Sequence, residues 1–144
     1  MKDFHPQITA FCCHNAIYSE EDLTERRRLQ SPSNVKVIEM PCSGKTEVIY
    51  LLKALESGAD GVYVVGCPEG ECRFLEGNLR AKKRVKYTQQ LLDEIGIEKD
   101  RIQMYNLSAS MKEKFQKVAT EMIEKIRNIG PSPVNKVKEQ ESET

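Results

Sequence analysis

An α/β domain built on a four-stranded parallel sheet is the fold this sequence predicts, and three observations predict it. Short apolar runs rich in β-branched residues recur along the chain, segments with apolar residues at helical spacing separate them, and glycines stand where those segments end. At 144 residues the chain has the length of one domain with one core of moderate size.

The strands fall at residues 7–12, 35–40, 61–65 and 101–107. The second and third are the closest to continuous apolar runs, the type expected of strands buried on both faces. Between the first two, residues 19–29 are polar, with Asp22 and Glu25 ahead of Arg26, Arg27 and Arg28; a short exposed helix is expected there. After the second strand, Val48, Leu51, Leu52 and Leu55 stand at i, i+3, i+4 and i+7, and Gly58 supplies the residue that closes the helix. The next helix runs over about residues 79–94, with Val85, Leu91, Leu92 and Ile95 as its stripe and Gly96 after it. The last carries Phe115, Val118, Ala119, Met122, Ile123 and Ile126, with Ser110 as N-cap and Gly130 at its end. From Pro131 onward the composition turns to Pro, Lys, Glu and Ser, too polar to offset the entropy of ordering. The expected organisation is a domain over residues 1–130 and a flexible tail over 131–144.

Lys plus Arg equals Asp plus Glu at 22 each, so the whole chain makes no electrostatic case for nucleic acid or for an anionic membrane. The start, M-K-D-F-H-P-Q-I-T-A-F-C-C, lacks the basic region and long apolar core of a signal peptide. No run approaches the roughly 18 apolar residues needed to span a bilayer. A cytoplasmic protein is expected. In that compartment thiols stay reduced, so the five cysteines point to metal binding, catalysis or burial rather than to disulfides.

Open parallel α/β sheets form their sites beyond the carboxyl ends of the strands, near the point where strand order reverses. The cysteines follow that rule. Cys12 and Cys13 end the first strand, Cys42 lies two residues past the second, Cys67 two past the third, and Cys72 in the loop that follows. Side chains alternate across a sheet, so one of Cys12 and Cys13 faces the site, and Cys13 is further out. Pro41, Ser43 and Gly44 flank Cys42, and Gly66, Pro68 and Gly70 flank Cys67. Such turns expose backbone N–H groups that can donate to sulfides and hold negative charge. Thiolates select zinc, copper(I) or iron–sulfur. Structural zinc sites offer two short knuckles, and only the looser pair Cys67-x4-Cys72 is present, which favours iron–sulfur. The alternative for all five is burial as small apolar residues.

Other signals compete. Cys67 to Arg73 reads C-P-E-G-E-C-R, matching the C-x5-R phosphate loop of cysteine phosphatases, in which Cys67 would be the nucleophile and Arg73 the phosphate clamp. Glu69 and Glu71 oppose a dianion there. The run Cys42-Ser43-Gly44-Lys45-Thr46 ends like a P-loop, but Glu39 stands where its first Gly belongs. His14 is a possible nitrogen ligand, as in Rieske centres. Arg80, Lys82, Lys83, Arg84 and Lys86 make the third predicted helix basic, either as a solvated face or as a docking surface for an acidic partner.

The runs V-I-E-M-P-C-S-G-K (Val37 to Lys45), G-A-D-G-V-Y-V-V-G-C-P-E-G-E-C-R-F-L-E-G-N (Gly58 to Asn78) and F-C-C (Phe11 to Cys13), with Tyr18 and Asp22-Leu23 beyond, resemble the delta-subunit family of methyl-viologen-reducing (F420-non-reducing) hydrogenase over about residues 7–130. The resemblance implies a flavodoxin-like or Rossmann-like sandwich carrying a [2Fe–2S] cluster, with no substrate of its own. It also implies partners: a hydrogenase, formate dehydrogenase or methylenetetrahydrofolate reductase module on one side, and a bifurcating heterodisulfide-reductase A-type flavoprotein on the other. The family's cysteines match Cys13, Cys42, Cys67 and Cys72. The family start F-x-C-x-W-C is altered here, with Asn15 and Ala16 in place of the Trp and second Cys, so Cys12 or His14 is the candidate substitute. A cluster-free scaffold in the same complex is the remaining reading.

Overall fold

The computed structural model describes residues 4–13, 34–40, 46–66, 77–107 and 112–134. Among them lie four strands, β1 (Ile8–Cys13), β2 (Val35–Met40), β3 (Gly61–Gly66) and β4 (Ile102–Asn106). Three α-helices accompany them: α1 (Val48–Glu56), α2 (Gly77–Glu94) and α3 (Lys112–Ile129). All strand pairs are parallel, in the order β2-β1-β3-β4. The expected α/β sandwich with a four-stranded parallel sheet is thus the observed fold. The helix expected over residues 19–29, the Ser110 cap and residues 135–144 lie outside the described residues.

Each described helix ends as its sequence predicts. Gly58, Gly96 and Gly130 adopt φ of 123°, 82° and 97°, a region where a Cβ would clash with the backbone. The buried stripe of α2 differs from expectation. It consists of Ala81, Val85, Thr88 and Leu92, whereas Ile95 lies beyond the helix and is exposed. Thr88 is tolerated there because its hydroxyl donates to the Arg84 carbonyl one turn back, at 2.8 Å.

The strand order also corrects which strands are covered on both faces. β3 is buried at every position, but β2 is the edge strand, and Lys36 and Glu39 on it are exposed. The second central strand is β1. Its run I-T-A-F-C-C carries no charged residue, whereas V-K-V-I-E-M carries Lys36 and Glu39, and in burial it is the inner one.

The core has two halves, one on each face. α3 covers one with Phe115, Val118, Ala119, Met122 and Ile126 against Ile8, Ala10, Cys12, Tyr63 and Val65. α1 and α2 cover the other with Leu51, Leu55, Ala81, Val85 and Leu92 against Phe11, Val62, Val64 and Ile102. Gly61 sits where α3 approaches the sheet most tightly. A Cβ there would fall 2.6 Å from Ile126 Cγ1 and 3.0 Å from Met122 Cε. Both side chains are fully buried, so α3 itself has to shift. Gly61→Ala is expected to cost about 1–3 kcal/mol through overpacking, measured by urea unfolding.

At the N-terminal edge of the sheet a polar knot fastens the elements together. Arg101, at the end of a single 3-10 turn (Lys99–Arg101), is fully buried. Its Nε donates to Glu98 Oε2 at 2.9 Å, Nη1 to the Asp60 carbonyl at 2.9 Å and Nη2 to the Pro131 carbonyl at 3.0 Å. The Asp60 carboxylate in turn accepts from the Gln7 N–H (2.9 Å) and the Ser132 N–H (3.0 Å). Pro131 and Ser132 are therefore tied to the sheet, although their composition matches that of the tail. Among the described residues no helix is long and apolar enough to cross a membrane.

Candidate metal centre at the carboxyl edge of the sheet

The chain leaves β1 for β2 on one side and then crosses from β2 to β3 on the other side of β1. The reversal therefore lies at the carboxyl end of β1, the position at which such sheets bind ligands. Cys13 is the last residue of β1 and pairs in register with Met40, the last residue of β2. On the other side Cys12 pairs with Val65, one residue before the end of β3. The thiol of Cys13 thus stands between the ends of the two neighbouring strands. Cys42, Cys67 and Cys72, together with His14, Ala16 and the rival nucleophile and clamp Cys67 and Arg73, lie outside the described residues. Among the described residues no group of three or more His, Cys, Asp or Glu stands close enough to hold a metal.

Cys12 and Cys13 are both buried, and both belong to the apolar cluster on the α3 face. The structure places both in one cluster, where the alternation along the strand was expected to separate them. Burial first, then the Glu39 carboxylate and the Cys13 thiol, pushes the Cys12 thiol up to about 12. In the protein alone that keeps the Cys12 thiol protonated, as a core residue. Glu39, its register partner on β2, contributes to that, an influence the sequence alone did not reveal.

Beneath this edge lies an aromatic pair that the sequence also left unnoticed. Tyr63 and Tyr105 meet edge to face with ring centroids 5.8 Å apart and planes at 83°, and Lys125 Nζ sits 6.0 Å from the Tyr105 centroid. Neither phenol oxygen has a hydrogen-bond partner among the described residues. Burial, then Cys12 and Tyr105, raises the Tyr63 phenol well above its ordinary value. Burial and then the Glu121 carboxylate push Tyr105 up to about 12. An unfolded phenol ionises near pH 10, whereas these retain the proton in the fold. Folding stability should therefore be unaffected below pH 10 and fall as pH rises from 10 toward 12, because only the unfolded chain releases protons there. Tyr63→Phe should flatten that loss. It should also add about 1 kcal/mol at pH 7 by removing a buried hydroxyl without a partner, as read by denaturant unfolding at both pH values.

The sheet order and the thiol at its reversal point define a parallel α/β protein with a cysteine-bearing carboxyl edge. Residues 8–130 match the family described as methyl-viologen-reducing hydrogenase, delta subunit, and the chain belongs to that family. It is 43% identical over 129 residues to the iron-sulfur D subunit of the F420-non-reducing hydrogenase vhu from Methanocaldococcus jannaschii, covering 90% of this chain and 96% of that protein. It is 39% identical over 130 residues to the iron-sulfur D subunit of the F420-non-reducing hydrogenase from Archaeoglobus profundus, covering 90% and 95%. A third relative is much longer. The A subunit of the Ferredoxin:CoB-CoM heterodisulfide reductase from Methanosarcina mazei is 37% identical over 126 residues, which are 88% of this chain but 16% of that protein.

Proposed function

We propose that this chain is the electron-transfer subunit of an oxidoreductase complex and holds a [2Fe–2S] cluster on Cys13, Cys42, Cys67 and Cys72. The observation that carries the reading is the position of Cys13 at the reversal point of the sheet, between the ends of β2 and β3. Connectivity supports the rest. Cys42 follows Met40 by two residues and Cys67 follows Gly66 directly. Consecutive Cα atoms are about 3.8 Å apart and adjacent strands about 4.8 Å. Chain length alone therefore limits the Cα of either cysteine to roughly 12 Å from that of Cys13, a span that thiol side chains and a small cluster can close. The donor set is all thiol, which suits iron–sulfur.

When bound, the cluster supplies a one-electron couple. The chain's own residues set its surroundings: Tyr63, Val65 and Leu107 are buried in the same apolar cluster as Cys13 and exclude water from that side, and a dry flank strengthens every charge interaction at the site. The relatives named as the D subunit of a hydrogenase and the A subunit of a heterodisulfide reductase support a place between a hydrogenase-type donor and a heterodisulfide-reductase A-type acceptor. Anaerobic reconstitution followed by iron counting, visible absorbance and EPR tests the reading. About two iron atoms per chain and a reducible chromophore are expected; a colourless, iron-free protein after reconstitution would overturn it.

A further inference from the structure

We infer that the first turns of α1 and α2, with the basic face of α2, form the surface that receives an acidic partner protein beside the cysteine edge. The identity of that partner as an electron-exchanging protein rests on the function proposed above; the location of the surface does not.

Both helices follow parallel strands, so both begin at the carboxyl edge of the sheet, and they pack side by side over the same half of the core. Arg84 Nη1 donates to the Thr46 carbonyl at 3.0 Å, pinning α2 to the residue two before α1. The two first turns therefore present one rigid surface. On it stand Ile49, 49% exposed, Tyr50, 44%, and Leu79, 40%, with Tyr87 at 54% two turns further along α2. Large apolar side chains gathered at one end of two neighbouring helices have the composition of an interface centre, and the cations beside them that of its rim.

The charge on α2 is the second, independent observation. Residues 79–92 contain Arg80, Lys82, Lys83, Arg84 and Lys86 and no acid; the acids of this helix come last, as Asp93 and Glu94. That is the reverse of what the helix dipole favours, which is acid at the N-terminus and base at the C-terminus. No acid lies in its first turn. α3 in the same fold obeys the rule, with Glu113 first and Arg127 last. In a chain whose total charge balances, the first half of α2, which begins at the carboxyl edge of the sheet, is basic, and an acidic partner is what that charge complements. A protein occupant fits a further finding: the unit recurs as 16% of a longer polypeptide, where it has protein as a neighbour.

The test is zero-length carbodiimide cross-linking, which joins amines to carboxylates, on the complex isolated through a tag on this chain. Cross-links from Lys82, Lys83 or Lys86 to partner Asp or Glu are expected. Cross-links confined to Lys114, Lys117 and Lys125 of α3 would overturn the assignment. An Arg80→Glu, Lys83→Glu double variant adds a readout that a merely structural role would not give. Its free chain should melt no lower than the parent, because acid now suits the dipole, while its affinity for the partner falls at least tenfold and becomes less sensitive to salt. Unchanged affinity would also overturn it. Iron counting on the same samples separates this inference from the proposed function: an iron-free chain that still cross-links through α2 refutes the cluster and supports the surface.

Discussion

Arg101→Met should lower the unfolding free energy by about 2–4 kcal/mol, and the melting temperature by roughly 10 °C for a chain of this length. Methionine keeps most of the volume of the arginine stem, so the experiment isolates the hydrogen bonds. The buried carbonyl of Asp60 and the part-buried carbonyl of Pro131 lose their donors; an unsatisfied buried acceptor costs about 1–3 kcal/mol, and a part-buried one less. Glu98 is 46% exposed and recovers water, so its share is small. The loss should be transmitted to Ser132 and Gln7, whose N–H groups bond the neighbouring carboxylate, and hydrogen exchange at those two amides should accelerate. A variant as stable as the parent would mean that the knot contributes little.

The second large effect concerns the cysteines. Cys13→Ser, Cys42→Ser, Cys67→Ser and Cys72→Ser should each reduce bound iron about tenfold or more after anaerobic reconstitution, since a small cluster has no spare ligand. Cys12→Ser should keep its iron and instead lose about 1–2 kcal/mol of stability, because a hydroxyl replaces a thiol in an apolar cluster. Bleaching in Cys12→Ser with retention of colour in Cys13→Ser would move the ligand by one residue and replace the assignment.

The fold was legible because apolar periodicity and helix-closing glycines are local signals. The strand starts and ends came out within two residues, and all three closing glycines adopt positive φ. What sequence patterns did not convey was lateral order. Val35 to Met40 reads as a buried strand, but burial depends on neighbours, and β2 lies at the edge. Arg101 was legible only as the start of a strand. After Glu98, Lys99 and Asp100 it looks solvated, and nothing local shows that two distant carbonyls need its donors. At the candidate site, the strand-end position of Cys13 followed from the pattern, whereas the influence of Glu39 on Cys12 depended on β1–β2 register, which one sequence does not encode visibly.

The Asp60 carboxylate has an architectural consequence. By accepting from both Gln7 and Ser132, it brings the entrance and the exit of the folded unit together, at the opposite rim of the sheet from Cys13. A polypeptide joined before one or after the other would therefore attach at the rim opposite Cys13. The unit has the geometry of a transferable cassette, suited equally to standing by itself in a complex and to being spliced into a longer chain.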